Sequence, residues 1–237
     1  MSNIRLFHPE NIIENTTSLL SKEHTHYVVN VMRMKRGSSL NFFNKDGEWS
    51  SEIIFLNKDR VEVKYLKKIK DPTYPSNIEL AICLVKKGPM ETILQKATEL
   101  GVNRIIPILS ERTEVKELNL ERAKKIVIEA TEQSNQLFPP EISEKINLKD
   151  FLDNLDGSTK LLFADVNSKN YLKKENLKKA NFFSLLIGPE GDFSPNEREL
   201  IIAKSNTYSF SLSKNILRSE TAVISAISLV KFLLDEH

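Results

Sequence analysis

Two stretches in the last quarter of the chain hold the residue types best suited to gripping a polar ligand. Ile187-Gly188-Pro189-Glu190-Gly191-Asp192-Phe193-Ser194 combines two glycines, a stiffening proline and a carboxylate. Leu212-Ser213-Lys214-Asn215-Ile216-Leu217-Arg218-Ser219-Glu220-Thr221-Ala222 sets one arginine among backbone donors. Each follows an apolar, strand-like run and feeds a helix-like segment. Open parallel sheets bind polar ligands in such loops, at the carboxyl ends of their strands and at helix amino termini. In the first stretch, Gly188 and Gly191 permit positive φ or close backbone approach. Alone it reads as a tight turn before a well-capped helix. It is not a phosphate-binding loop, because the lysine and the longer glycine spacing are missing. In the second, Ile216 and Leu217 offer an apolar floor, Arg218 a charge for an anion, and Thr221 a helix cap. Alone it reads as a strand–loop–helix joint with a solvated arginine. Occurring together, the two point to a site.

The elements that must position these loops are legible in the periodicity. Residues 77–85, 104–109, 160–164, 182–187 and 208–212 read as strands. Residues 89–100 form an amphipathic helix with Met90, Ile93, Leu94, Ala97 and Leu100 inward and Gly101 as its stop. Residues 120–134 form another, with Leu120, Ala123, Val127 and Ala130 inward. Ser194, Pro195 and Glu197 are a capping box opening a third helix, and residues 221–234 make the last. Strands alternating with helices specify an α/β domain on a mostly parallel sheet. Ahead of it, Asp71-Pro72-Thr73-Tyr74-Pro75 reads as a linker. Before the linker, residues 39–44 and 48–56 flank a hairpin turn at Lys45-Asp46-Gly47. Residues 60–66 alternate as a third strand, and residues 22–34 suit a helix with Tyr27, Val28, Val31 and Met32 on one face. The expected division is a small β-barrel domain over 1–71 and the α/β domain over 72–237.

Composition narrows the class. The chain has 237 residues, 28% charged and 40% hydrophobic, with a formal net charge of +2. That fits a soluble globular protein and excludes a polycation, so nucleic-acid contact must come from local patches. Arg33, Lys35 and Arg36 form one patch, and Lys64, Lys67, Lys68 and Lys70 a second. Each suits phosphate contact or a solvated face. Phe42, Phe43 and Trp49 nearby are expected in the core. Arg112 leaves a strand at its carboxyl end, open to RNA, a ligand, or a salt bridge with Glu111 or Glu114. Glu132-Gln133-Ser134 ends a helix before prolines, where it either lines the site or simply terminates. The single cysteine, Cys83, sits in an apolar strand and is expected to be core. The histidines His8, His24, His26 and His237 show no metal-ligand spacing, so no metal is expected. No apolar run reaches membrane-spanning length and no signal-peptide core opens the chain, so a cytoplasmic protein is expected.

Taken together, these residues resemble the bacterial 16S rRNA (uracil-N3)-methyltransferase family, within the SPOUT methyltransferases. The resemblance spans essentially the whole chain. Arg5-Leu6-Phe7 and the stretch from His26 to Lys35 are similar to that family's N-terminal PUA-like domain. Gln95-Lys96-Ala97-Thr98-Glu99-Leu100-Gly101-Val102, Ser110-Glu111-Arg112 and Glu132-Gln133-Ser134 are similar to its early catalytic-domain motifs. Gly188-Pro189-Glu190-Gly191 and the stretch from Ile216 to Ala222 are similar to its cofactor loops.

The resemblance implies a PUA-like barrel followed by a SPOUT domain with a C-terminal trefoil knot, an exception to unthreaded connections. It also implies S-adenosylmethionine held by three loops: Leu162, Phe163 and Ala164; then Ile187, Gly188, Pro189, Glu190 and Gly191; then Leu212, Ile216, Leu217, Arg218, Thr221 and Ala222. Arg218 would stabilise the developing uracil anion and Glu220 or water would take its proton. Arg33, Lys35, Arg36 and Arg112 would meet RNA. The implied product is N3-methyluridine in 16S rRNA of the small subunit, made by a homodimer. The alternatives are a SPOUT enzyme acting at another RNA position and a catalytically silent RNA-binding module. The chain departs from the pattern at Asn135, Asp192 and Ser213, where glycine is usual, and at Gln136 and Asn215, where arginine is usual.

Overall fold

The computed structural model describes residues 4–73, 76–178 and 180–235. Tyr74 and Pro75 of the expected linker, and His237, lie outside them. The chain divides into two compact units, residues 1–74 with 131–138 and residues 75–130 with 139–237.

The first unit contains β1 (Arg5–Phe7), β2 (Thr17–Leu19), α1 (Lys22–His26), β3 (Ser39–Asn44), β4 (Gly47–Leu56) and β5 (Val61–Lys70). Its five strands run β1-β3-β4-β5-β2, with β1 parallel to β3 and the remainder antiparallel. Among the described residues β1 and β2 are the two outer strands of this order. Register shifts between β4 and β5 bend the sheet around a core of Leu6, Val28, Leu40, Phe42, Trp49, Ile53, Val61, Val63 and Tyr65. Asn44 pairs with Gly47, leaving Lys45-Asp46 as a two-residue turn. Gly47 has φ +140°, and a Cβ there would lie 2.4 Å from the Lys70 carbonyl oxygen, so glycine is required.

The helix expected over 22–34 is shorter. After α1 the chain takes a π-helical turn, Tyr27–Val31, whose extra residue rotates the following side chains off the apolar face. Val28 is fully buried, but Val31 and Met32 are exposed. β1 and β2 have no sequence signal, being three residues each. β5 runs four residues beyond the expected strand because its lysines keep their ammonium groups outside: Lys68 lies over the Trp49 ring, 5.6 Å from its centroid.

The second unit contains β6 (Ile78–Cys83), α2 (Lys87–Glu99), β7 (Arg104–Leu109), α3 (Leu120–Gln133), β8 (Glu141–Ile142), β9 (Ile146–Asn147), α4 (Leu148–Asn154), β10 (Thr159–Ala164), α5 (Lys174–Leu177), β11 (Phe182–Ile187), α6 (Pro195–Ala203), β12 (Thr207–Phe210) and α7 (Ser219–Asp235). The last turn of α3 belongs to the first unit. The strand order is β12-β10-β11-β6-β7-β8, with β9 also on β7, and every pairing is parallel. Alternate residues feed two cores. Leu80, Ile82, Leu162, Leu185 and Phe210 meet α2, α3 and α7 on one face; Ala81, Cys83, Phe163 and Leu186 meet α4 and α6 on the other. Burial of both faces is why these strands read as continuous apolar runs.

α2 stops at Gly101, φ +76°, with the Gly101 amide donating to Thr98 and the Val102 amide to Ala97, a Schellman closure. Leu120 is 38% exposed rather than inward. It sits in the first turn of α3, where the Asn119 side chain accepts from the Arg122 amide. Cys83 is fully buried, and burial pushes its thiol up to about 12. The native protein is therefore expected to resist a thiol-labelling disulfide reagent at pH 8 and to react with one equivalent once unfolded in urea. Fast labelling of the native state would remove Cys83 from the core.

Candidate functional site

β12, β10 and β11 lie side by side, and their ends are level: Ala164 is opposite Ile187 on one side and Phe210 on the other. The loops beginning at residues 165, 188 and 211 therefore leave the sheet on one edge. Sequence spacing could not show this adjacency, because β11 intervenes in the chain between two strands that pair with each other.

At that edge the backbone is rich in free donors. Among the described residues none accepts from the amides of Gly188, Leu212, Ile216 or Leu217. Exposed or ligand-facing amides at strand ends are what a polar ligand needs. The 188–191 turn is closed by the Asp192 amide donating to the Pro189 carbonyl at 3.0 Å. A Cβ on Gly188 would lie 3.0 Å from the Phe193 ring, which packs edge-on against Phe163 with centroids 5.6 Å apart. α6 opens with the expected capping box, Ser194 accepting from the Glu197 amide and Glu197 accepting from the Ser194 amide. The other oxygen of Glu197 accepts from the Glu111 amide at 2.8 Å, tying the loop after β7 to this edge.

Arg112, one of the expected RNA contacts, donates through Nη1 to the Gly191 carbonyl at 3.0 Å. It forms this link rather than an ion pair with Glu111 or Glu114. Arg218 is exposed at the amino terminus of α7, where its carbonyl accepts the first helical bond from Ala222. No described residue engages its side chain. Glu220 follows in the first turn, half-buried. Thr221 is not the cap: α7 begins two residues earlier, at Ser219, and leaves Thr221 exposed within the helix. Ile216 is not a floor, being 92% exposed. The turn before it, in which the Asn215 amide donates to Ser213 Oγ, gives its side chain nothing to pack on. Leu217, Leu212 and Ala222 are half-buried. Leu162 and Phe163 lie behind the edge, their side chains in opposite cores, so Ala164 is the β10 residue nearest the loops.

A residue the sequence did not single out dominates the electrostatics. Asp165, directly after β10, has a fully buried side chain. Burial opposes its charge, but hydrogen bonds from Arg198, the Asn167 amide and Ser209 outweigh it and hold the carboxyl below the usual range. The only local signal was a carboxylate at the end of an apolar strand.

Two of the departures from the expected pattern have a structural basis. Asn135 and Asp192 both adopt left-handed backbone, φ +61° and +57°. These are conformations that glycine favours and that asparagine and aspartate tolerate best among the rest. Asp192 Oδ1 also accepts from the Phe193 amide at 2.8 Å. Asn135→Gly is expected to hold the urea midpoint, whereas Asn135→Ala should lose about 1–2 kcal/mol of stability. Equal midpoints for the two would dismiss the backbone explanation. Ser213 is not left-handed, so its backbone does not call for glycine.

In the first unit, Arg33, Lys35 and Arg36 are exposed around a tight turn closed by the Ser38 amide donating to the Lys35 carbonyl and tied to β4 by the Gly37 amide donating to the Ile53 carbonyl. Arg33 itself is left-handed, φ +50°. No described residue engages the three side chains. Two motifs of the resemblance meet here. Arg5 donates to the carbonyls of Glu132 and Gln136, at 3.0 and 2.9 Å, and to Glu48 at 3.0 Å. The Phe7 amide donates to Glu132 Oε1 at 2.9 Å. Glu132 thus terminates α3 against β1. No cluster of three or more His, Cys, Asp or Glu among the described residues could hold a metal, and no described helix is long and apolar enough to cross a membrane.

Comparison with known proteins matches residues 72–231 to an RNA methyltransferase domain and residues 20–66 to an RNA methyltransferase PUA domain. The chain is 35% identical over 234 residues to ribosomal RNA small subunit methyltransferase E of Rickettsia conorii, covering 97% of this chain and 95% of that protein. It is 36% identical over 229 residues to the protein of that name from Buchnera aphidicola of Schizaphis graminum, covering 92% and 91%. Among solved structures, ribosomal RNA small subunit methyltransferase E of Neisseria gonorrhoeae bound to S-adenosyl methionine superimposes with a TM-score of 0.90 at 28% identity, covering 98% of each chain. A methyltransferase of Legionella pneumophila in complex with that cofactor gives 0.86 at 29%, with the same coverage.

Proposed function

This chain belongs to the RNA methyltransferase family, and we propose that it transfers a methyl group from S-adenosylmethionine to N3 of one uridine in 16S ribosomal RNA. The observation that carries the reading is the level ending of β12, β10 and β11, which gathers the loops at 165, 188 and 211 on one edge. The free amides there suit the polar atoms of an adenosyl ligand. The backbone of residues 188–191 and 212–217, with Ala164 beside them, would hold it, and Ala222 would pack near. When bound, the cofactor supplies an electrophilic methyl group.

The protein must do the rest. Uridine N3 carries a proton and is a poor nucleophile until the proton leaves. A cation beside the uracil carbonyls favours the anion. Arg218 is free to serve, and it stands at the amino terminus of α7, whose dipole adds to its charge. Glu220 or water takes the proton. Holding N3 in line with the methyl group supplies much of the acceleration. The target base must be unstacked to reach the edge. Arg33, Lys35 and Arg36 would contact phosphates, and Arg112 would order the 188–191 turn while presenting charge beside it.

We further place the target in the small subunit, the protein in the cytoplasm, and the active form as a homodimer whose C-terminal segment is knotted. The exposed Phe232 on α7 gives a second copy apolar surface to cover. Nucleoside mass spectrometry of ribosomal RNA from a strain lacking the gene should show loss of one N3-methyluridine, restored by the wild-type chain. Unchanged N3-methyluridine would refute the assignment, and loss of a different methylated nucleoside would redirect it to another RNA position.

A further inference from the structure

The ligand-binding groups at the carboxyl edge are backbone groups, so what fixes the loops fixes their affinity. We propose that Asp165 is a positioning residue whose carboxylate locks the three strand-end loops in the spacing that S-adenosylmethionine requires. The inference rests on the reading that these loops hold that cofactor.

The bonds radiate from one carboxylate. Ser209 of β12 donates its hydroxyl to Oδ2 at 2.9 Å. Arg198 of α6, the helix fed by the 188–191 turn, donates from Nη2 at 2.8 Å and from Nε at 3.1 Å to the same oxygen. The Asn167 amide donates to Oδ1 at 2.9 Å, folding the loop after β10 back on itself. The Asp165 amide meanwhile donates to the Phe210 carbonyl at 2.9 Å, so the residue is held in sheet register. Secondary links extend the lock. Asn167 Nδ2 reaches Asp192 Oδ2 at 3.4 Å, in the turn that follows β11. Ser168 Oγ donates to the Ser209 carbonyl at 3.1 Å, and the Ser211 amide to the Asn170 carbonyl at 2.8 Å. Every strand whose end borders the site is thereby joined to the others through Asp165 or the five residues after it.

The two-pronged contact with a planar guanidinium fixes direction as well as distance. A carboxylate with no exposure cannot exchange these donors for water, so its loss is felt as displacement of the loops. Misplacing ligand contacts by a fraction of an ångström weakens binding without altering the chemical groups that react.

The test compares wild type, Asp165→Asn and Arg198→Lys by calorimetry with S-adenosylmethionine and by steady-state methylation. Asp165→Asn keeps the shape and removes the charge. It is expected to raise the cofactor Kd by about 10-fold, with kcat at saturating cofactor and the KM for RNA within about 2-fold of wild type. Arg198→Lys keeps the charge without the fork and should raise Kd by about 3-fold. A residue with only a structural role would lower the melting temperature and leave this split between Kd and kcat absent. A folded Asp165→Asn protein with wild-type Kd overturns the proposal. If that variant does not fold, a wild-type Kd in Arg198→Lys overturns it. Failure of the wild-type protein itself to bind the cofactor would bring down the reading of the site, and the proposal with it.

Discussion

Arg218→Ala is expected to slow methyl transfer by about 100- to 1,000-fold, the usual cost of removing one preorganised stabiliser of developing charge. The melting temperature should stay close to wild type, because the side chain is exposed and no described residue engages it. Binding of S-adenosylmethionine should change little, since the contacts proposed for it are backbone groups. The loss should therefore fall on kcat rather than on the cofactor Kd. Arg218→Lys keeps a cation at the same helix terminus but not the planar fork, and should recover part of the rate. Single-turnover transfer of a labelled methyl group to small-subunit RNA reads the effect directly. Turnover by the alanine variant at the wild-type rate would strip Arg218 of its role, and the uracil anion would then need another partner.

Arg5→Ala should destabilise the first unit by about 3–5 kcal/mol. Arg5 is 10% exposed at its side chain and Glu48 only 5%, so truncation strands a buried carboxylate. Asn41 Nδ2, 2.7 Å from Glu48 Oε1, would be left as its described donor. The substitution also removes the guanidinium from the Phe43 ring, 4.2 Å from its centroid, and from the carbonyls of Glu132 and Gln136. The end of α3 would lose its cap and the 131–138 segment part of its hold on β1, the Phe7 amide still donating to Glu132. Urea unfolding of the intact chain, followed by Trp49 fluorescence, measures the loss. Because the damage comes from an uncompensated charge, Arg5→Met with Glu48→Gln should be less destabilised than the sum of the single changes. A loss below about 1 kcal/mol for Arg5→Ala would mean that the pair is not what holds this unit together.

These two arginines differ in how far the chain alone exposes them. Arg218 stands in a motif whose neighbours already suggested a ligand. Arg5 stands near the amino terminus, and its partners at 132 and 136 are more than a hundred residues away. Nothing in periodicity marks such a pairing. Asp165 and Arg198 were missed for the same reason: each is an ordinary charged residue locally, and only the adjacency of β10 with β12 and α6 makes them a pair. Ile216 went the other way. Its type suggested a buried floor, but a tight turn before α7 leaves it in solvent.

Local rules did settle much of the chain. The α/β alternation, the limits of β7 and β11, the capping box at Ser194 and the stop at Gly101 all follow from short-range hydrogen bonding and side-chain period, which act over a few residues. Identities also singled out two of the loops that leave the sheet on one edge. Which strands stand side by side was a tertiary decision. Parallel strands need crossovers, and burying both faces of the sheet fixes their order through packing among distant residues. That order set β10 between β11 and β12, brought Asp165 to Arg198, and turned two suggestive loops into one edge.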